Sequence, residues 1–178
     1  EMKYKPKPRF VEGFFAPDGK GIRRTLVGRM FPQPIVMRPD GKLTLLDEVL
    51  GAGFALVAFG QTPERAVSEF VQPIWKKIGI RRIGIYSLPC ALPRQAAQAG
   101  ILDAAVVDHE RAVAAAWQGY EGQVLALRPD RYVMGAFPAS DPGRAALVIE
   151  NLLHATWSDR VESASLGKPD DSDRAGQI

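Results

Sequence analysis

Phe54-Ala55-Leu56-Val57-Ala58-Phe59 is a continuous apolar run bounded by a glycine on each side. A short apolar run of this kind is typical of a strand that is buried on both faces of a sheet. The residues that follow it, Thr62-Pro63-Glu64-Arg65, predict a helix start, with Thr62 as the cap and Pro63 in the first helical position. The two segments together predict a buried strand that passes directly into a helix.

The rest of the chain continues this alternation of strands and helices. The helix from Pro63 is expected to reach about Ile78, with Pro73 kinking it or ending its first half. The other predicted elements are a strand at Ile35–Arg38, a helix at Leu43–Leu50, a second buried strand at Arg82–Ser87, an extended segment at Ala104–Asp108, a helix at Glu110–Gln118, strands at Gln123–Arg128 and Tyr132–Phe137, and a final helix from Asp141. Parallel strands with helical crossovers, followed by a hairpin and a closing helix, predict an α/β fold of thioredoxin-like type, β-α-β-α-β-β-α.

Three regions are predicted along the chain. Residues 1–34 contain many Pro and Gly residues, which favours an extended N-terminal arm or linker from missing upstream domains. Within this arm, the turn after Phe14 and Phe15 is expected to expose both rings for packing on another domain. Residues 35–157 form the folded domain, and residues 158–178 are expected to be a disordered polar tail. The first residue is not Met, so we interpret the chain as a piece of a longer protein.

Composition and charge exclude several classes of protein. The chain has 178 residues and a net charge of +3, and eight Lys or Arg but three Asp or Glu lie within its first 29 residues. Few aromatic residues accompany these charges, so we expect no nucleic-acid partner. No apolar run approaches the roughly 20 residues that span a membrane, so we expect no membrane segment. The single cysteine has no disulfide partner within the chain, which fits a reducing cytoplasm.

The sequence offers weak candidates for chemistry. Thiol enzymes of this fold place a cysteine where the first buried strand meets its helix, but here that turn reads Gly60-Gln61-Thr62-Pro63. Cys90 follows the second buried strand instead and is a weak redox candidate. The histidines, His109 and His154, have no neighbours at ligand spacing, so no metal site is expected. Asp108 is predicted to cap the following helix.

Three segments carry a family resemblance. They are Gly28-Arg29-Met30-Phe31-Pro32-Gln33-Pro34, the stretch Leu45-Leu46-Asp47-Glu48-Val49-Leu50-Gly51 with the Gly53-Phe54 that follows, and Leu125-Ala126-Leu127-Arg128-Pro129-Asp130-Arg131-Tyr132-Val133-Met134-Gly135. In this order they resemble the C-terminal domain of class A FAD-dependent aromatic hydroxylases, especially the 3-(3-hydroxyphenyl)propionate hydroxylase type. The linker of that family is similar to Lys3–Phe10. The signature residues are Phe31, Pro32, Gln33, Pro34, Leu46, Asp47, Gly51, Arg128, Pro129, Asp130, Arg131 and Tyr132.

The resemblance implies a parent monooxygenase of aromatic catabolism that uses NAD(P)H to reduce FAD and hydroxylates a phenolic acid. The FAD-binding Gly-x-Gly-x-x-Gly and Gly-Asp segments of the family do not occur here, so no catalytic or cofactor-binding residue is expected in this chain. Its expected partners are the upstream FAD-binding and substrate domains, with a homo-oligomer contact as a further possibility. Two alternatives are a thiol oxidoreductase that uses Cys90 and a free-standing binding module.

The turn in the third segment is expected to be structural. Pro129 presets the backbone of the hairpin, and Asp130 could bond to nearby backbone or pair with Arg131 across the turn. On this basis Asp130→Ala should destabilise the fold more than Arg131→Ala.

Overall fold

The computed structural model describes residues 9–10, 13–21, 23–88 and 100–165. Within them the strands are β1 (Ile35–Met37), β2 (Leu43–Leu45), β3 (Ala55–Gly60), β4 (Arg81–Ser87), β5 (Ala104–Asp108), β6 (Gln123–Leu127) and β7 (Val133–Pro138). The helices are α1 (Leu46–Leu50), α2 (Pro63–Ser68), α3 (Pro73–Lys77), α4 (Ala112–Ala116) and α5 (Pro142–Ser165).

The strands form one sheet in the order β2-β1-β5-β4-β3-β6-β7. Strand β4 pairs in parallel with β3 and β5, whereas β6 and β7 continue the sheet beyond β3 in antiparallel fashion. The apolar run predicted as a buried strand is β3, whose residues Ala55–Ala58 are buried. Parallel strands followed by an antiparallel hairpin and a closing helix confirm the predicted thioredoxin-like fold, with β1 and β2 added at one edge.

Alternating residues of the central strands divide the core into two layers. Leu56 of β3 lies in the layer that α2, α3 and α5 cover, together with Trp75 and Ile149. Val57 lies in the opposite layer, which contains Trp117 and residues of α1. This two-sided burial explains why the central strands are continuous apolar runs rather than alternating ones.

The helix predicted at Leu43–Leu50 begins later than expected. Leu43–Leu45 is a strand that pairs with β1 in the register Ile35↔Leu45 and Met37↔Leu43, and α1 begins at Leu46. The turn before β2 closes through the amide of Arg38, which donates to the carbonyl of Lys42 at 2.8 Å. The backbone of β1 thus holds these leucines in an extended conformation that their helical spacing did not predict.

The described residues of the predicted arm, 9–10, 13–21 and 23–34, pack against the domain instead of extending away from it. Ala16, Val27 and Phe31 are buried in the core, and the amide of Ala16 donates to the carbonyl of Met134 at 2.7 Å. Phe14 packs against one core layer and Phe15 against the other. Both rings are half-buried against this domain, so the prediction that they are exposed for another domain is wrong.

The structure also differs from the predictions at Thr62 and after Trp157. Thr62 precedes α2, but its side chain makes no capping hydrogen bond. The break expected at Pro73 agrees with the structure, where α2 ends at Ser68 and Pro73 begins the separate helix α3. Helix α5 continues to Ser165, so residues 158–165 do not belong to a disordered tail. No proline or glycine interrupts residues 144–165, so nothing in the sequence breaks that helix. The predicted tail from residue 166 onward lies outside the described residues.

Candidate functional site

The three signature segments meet at one place, which we call the signature junction: Gly28–Pro34, Leu46–Gly51 and Arg128–Tyr132. The amide of Phe31 donates to the carbonyl of Arg131 at 2.8 Å. The amide of Leu46 donates to the carbonyl of Pro34 at 2.9 Å. Arg131 also forms an ion pair with Asp47 across 84 residues of sequence. The junction therefore ties the segment before β1, helix α1 and the β6–β7 turn into one unit.

Gly51 ends α1 at a position where only glycine fits without rearrangement. Its φ is +72°, and an added Cβ would lie 2.5 Å from Nη1 of Arg81. That same nitrogen donates to the carbonyl of Val49 at 2.8 Å and so satisfies a carbonyl that the short helix leaves free. The signature glycine thus makes room for an arginine of β4 that holds the end of α1.

The β6–β7 turn has the geometry that its sequence predicts. The amide of Arg131 donates to the carbonyl of Arg128 at 2.9 Å, and Pro129 occupies the second position of that turn. Arg131 then adopts a φ of +69°, as in a three-residue hairpin loop closed by a left-handed residue. A non-glycine residue in this conformation costs about 1 kcal/mol, which its other contacts must offset.

The charged residues of the turn pair differently from the prediction. Asp130 pairs with Arg128, at 3.1 Å to Nε and 2.6 Å to Nη2, while Arg131 points to Asp47. The expected contact of Asp130 with nearby backbone is long, 3.5 Å from the amide of Tyr132. Arg131 is thus the residue that connects the turn to another element.

We now expect Arg131→Ala to lower the thermal midpoint more than Asp130→Ala does, reversing the order expected from sequence. The Arg131 side chain is 15% exposed and joins distant segments, whereas Asp130 is 44% exposed and pairs within its own turn. Each partly exposed pair contributes about 0–1 kcal/mol, and alanine at 131 keeps the unfavourable φ. Thermal unfolding of both variants and of Arg131→Gly, which relieves the backbone strain, tests this order. A larger loss in Asp130→Ala would contradict it.

An aromatic cluster covers one side of the junction. The rings of Phe10 and Tyr132 meet edge to face with centroids 4.7 Å apart, and the Arg128 guanidinium lies 4.9 Å from the centroid of Phe15. The amide of Phe10 donates to the carbonyl of Gly28 at 2.9 Å. Residues 9–10 therefore dock on the same segment that carries the first signature.

A second polar centre holds Asp18, Thr25 and Leu26 against the domain, and no local sequence pattern points to it. The Asp18 carboxylate accepts hydrogen bonds from the hydroxyls of Tyr120 at 2.6 Å and Thr25 at 2.8 Å. The Tyr120 hydroxyl in turn accepts one from the amide of Leu26 at 2.7 Å, and the Lys20 ammonium lies 3.5 Å from the centroid of its ring. Since 102 residues separate Asp18 from Tyr120, only the fold brings them together.

The ionisation of both groups follows from these contacts. Burial by itself would raise the pKa of Asp18, but the hydrogen bonds from Tyr120 and Thr25 and the backbone amide of Lys20 outweigh it, so that this pKa is lowered. Burial and the bond to Asp18 raise the pKa of the Tyr120 hydroxyl. The native state therefore favours an ionised Asp18 beside a neutral Tyr120.

We expect Asp18→Asn to lower the free energy of unfolding by about 1–2 kcal/mol at pH 7, with a loss that shrinks in acid. Because folding lowers the pKa of Asp18, its stabilisation is complete above the unfolded pKa of about 3.9 and disappears as the pH falls through the lower folded value. Urea unfolding at pH 7, 4 and 2.5 measures this. Asp40→Asn, at an exposed turn where the carboxylate contacts Lys42, controls for the loss of one negative charge. A difference that is constant over this pH range would contradict the expectation.

Thiol enzymes of the thioredoxin fold have their cysteine at the turn that corresponds to the one between β3 and α2, and this chain has no cysteine at that turn. At the turn from β3 to α2, Gln61 donates through Nε2 to the hydroxyl of Ser87 at 2.8 Å. Cys90 lies outside the described residues. Within the described parts of the chain, no group of three or more His, Cys, Asp or Glu side chains could hold a metal ion.

The predicted capping role of Asp108 agrees with its hydrogen bond. Its Oδ2 accepts from the amide of Ala114 in α4 at 2.8 Å, although Arg111 is the residue that directly precedes the helix. His109 lies 3.7 Å from the carboxylate of Glu110. These contacts give both residues structural partners at the end of β5.

No helix among the described residues combines the length and apolar character needed to cross a membrane.

The relatives of this chain are hydroxylases that are much longer than it is. The chain is 31% identical over 170 residues to a 3-(3-hydroxy-phenyl)propionate/3-hydroxycinnamic acid hydroxylase of Klebsiella pneumoniae subsp. pneumoniae, covering 96% of this chain and 28% of that protein. An Escherichia coli hydroxylase of the same description is 28% identical to this chain over 170 residues, which again covers 96% of this chain and 28% of that protein. The chain thus spans little more than a quarter of the length of these relatives.

Solved structures agree on the fold. The flavin-dependent monooxygenase PieE has a TM-score of 0.54 at 18% identity, with 82% of this chain and 25% of that chain covered. Peroxidoxin BcpB from Mycobacterium tuberculosis has a TM-score of 0.52 at 18% identity, with 70% of this chain and 96% of that chain covered. The model of the HcaD C-terminal domain family matches residues 28–153, a range that begins at Gly28 and contains all three signature segments. The chain therefore belongs to the HcaD C-terminal domain family, and its resemblance to the C-terminal part of aromatic hydroxylases is confirmed.

Proposed function

We propose that this chain is the non-catalytic C-terminal domain of an FAD- and NAD(P)H-dependent monooxygenase that hydroxylates a phenolic aromatic acid such as 3-(3-hydroxyphenyl)propionate. The observation that carries the proposal is the match of nearly the whole chain to little more than a quarter of such hydroxylases. The remaining length of the parent then supplies flavin binding, substrate binding and catalysis. The single cysteine is consistent with work in the reducing cytoplasm.

The contacts of the signature residues support a structural role for them. Phe31 and Leu46 are buried in the core, and Asp47 and Arg131 pair with each other. These side chains are engaged within the domain, so the signature preserves the way in which its three segments fit together. The domain then contributes a stable surface on which the upstream domains of the same chain pack.

The proposal is tested by comparing the full-length protein with the 178-residue chain. We expect the full-length protein to be yellow, with a flavin absorbance band, and to oxidise NADH or NADPH when 3-(3-hydroxyphenyl)propionate and oxygen are present. The 178-residue chain should be colourless and inactive in the same assay, because it lacks a glycine-rich phosphate-binding loop after a strand. A colourless full-length protein, or retention of flavin by the short chain, would refute the proposal.

The alternative of a thiol oxidoreductase depends on Cys90. Cys90→Ser in the full-length protein should leave hydroxylation within a few-fold of the wild-type rate, since the cysteine lacks a second cysteine to resolve a disulfide. Titration of the Cys90 thiol with a disulfide reagent across pH supplies the second readout. A strongly depressed thiol pKa together with loss of activity in the serine variant would favour the alternative.

A further inference from the structure

The β1–β2 hairpin gathers apolar side chains on one exposed face. Ile35, Leu43 and Leu45 are 41%, 59% and 47% exposed. Ile35 is paired with Leu45, and Leu43 with the half-buried Met37, so all four side chains point to the same face of the sheet. On the other face, Val36 is completely buried. We call Ile35, Leu43 and Leu45 the hairpin surface.

Strand β2 also presents backbone amides that pair with no other strand in the described part of the chain. The bonds from Arg38 to Lys42 and from Leu46 to Pro34 mark two hydrogen-bonded pairs of the antiparallel ladder. Since such pairs alternate with non-bonded ones, the amides of Leu43 and Leu45 point away from β1. Among the described residues β2 is the last strand of the sheet, so those amides face an edge that no other described strand pairs with. An apolar face beside an open strand edge is the kind of surface that proteins cover.

We infer that the hairpin surface is the place where this domain contacts the preceding part of the full-length chain. This inference rests on the function proposed above. The matching region makes up 28% of the length of the relatives. A full-length chain of that size therefore has a large remaining part that can cover this surface. The hairpin follows Pro34 directly and so lies beside the segment through which the chain enters the sheet. Among the described residues, the other exposed leucines are Leu88, directly after β4, and Leu147 on α5.

The size of the hairpin surface favours a covalently linked partner over a second copy. A stable complex of separate proteins buries about 800 Å² on each side, which three aliphatic side chains do not approach. A partner in the same chain acts at an effective concentration in the millimolar range, so a smaller contact suffices. The partner of the hairpin surface is therefore the upstream part of the same polypeptide.

Leu43→Lys and Leu147→Lys are a matched pair of variants for the test, since these leucines are 59% and 57% exposed. In the 178-residue chain both should leave the thermal midpoint within about 2 °C of the wild type, as surface changes do. In the full-length protein, Leu43→Lys should increase about tenfold the rate at which a protease separates this domain from the preceding part, because an undocked linker is exposed more often. Leu147→Lys should leave that rate unchanged.

Hydrogen exchange supplies an independent readout. The amides of Leu43 and Leu45 should exchange at least tenfold more slowly in the full-length protein than in the 178-residue chain, and Leu43→Lys should remove this difference. Equal proteolysis of the two lysine variants, with equal exchange in the long and short chains, would overturn the inference. Dimerisation of the short chain in sedimentation, abolished by Leu43→Lys, would overturn it in favour of a second copy. If the full-length protein holds no flavin but both readouts respond to Leu43→Lys, the proposed function fails and the contact stands.

Discussion

Phe31→Ala should lower the free energy of unfolding by about 3–5 kcal/mol. Phe31 is 1% exposed and meets Trp117 edge to face with centroids 6.1 Å apart, in the core layer beside α1. Its removal leaves a cavity between the segment before β1 and the sheet, which the hydrogen-bonded backbone of the signature junction cannot close. Chemical denaturation of the 178-residue chain measures the loss.

Met30→Ala is the matched control for this prediction. Met30 lies next to Phe31 in the sequence but is 54% exposed, so its truncation should cost less than about 0.5 kcal/mol. The pair separates the anchoring role of the buried ring from any general sensitivity of this segment. Similar losses in both variants, or a loss below 1 kcal/mol in Phe31→Ala, would contradict the assignment of Phe31 as a core anchor.

Gly28→Ala is expected to cost about 3 kcal/mol, of which the backbone conformation accounts for about 1–2 kcal/mol. Gly28 has a φ of +78°, and an added Cβ would lie 2.0 Å from the carbonyl oxygen of Phe10. The methyl group must therefore displace residues 9–10, which breaks the hydrogen bond from Phe10 to Gly28 and separates the Phe10 ring from Tyr132. The additional loss comes from these contacts.

Gly19→Ala isolates the backbone component, because Gly19 has a φ of +71° and no heavy atom within 4 Å of the added Cβ. We expect it to cost only the 1–2 kcal/mol of the left-handed conformation. Denaturant unfolding gives the difference between the two variants, and exchange of the Phe10 amide reports the displaced segment directly. If both variants lose equal stability and the Phe10 amide stays protected, the close contact at Gly28 is not important.

The central strands and the β6–β7 hairpin could be predicted from sequence, because their evidence is local. The apolar run of β3 and the Pro129 turn each contain their own signal within a few residues. Leu43–Leu45 could not be assigned in this way, since these leucines fit a helical face and become a strand only through pairing with β1. Tertiary pairing decided the conformation where local preference was ambiguous.

The residues of the signature junction were singled out by the family resemblance, but their contacts could not be predicted from sequence. The family resemblance singled out Asp47 and Arg131, yet the prediction paired Arg131 with its sequence neighbour Asp130. The hydrogen bond between Asp18 and Tyr120 could not be predicted from sequence, because no sequence spacing relates partners that are 102 residues apart. Similarly, Phe14 and Phe15 looked exposed because the sheet that covers them is formed by residues far along the chain.

The position of β3 between β4 and β6 sets a limit on when this domain can fold during synthesis. Strand β6, which pairs with Ala55–Ala58, is not complete until Leu127. Until the ribosome has released that residue, β3 presents an unpaired apolar edge to solvent. The interval between the emergence of β3 and β6 lasts several seconds at about 5–20 residues per second. During that time the apolar residues of β3 expose the nascent chain to aggregation, which ends only when β6 has emerged and paired.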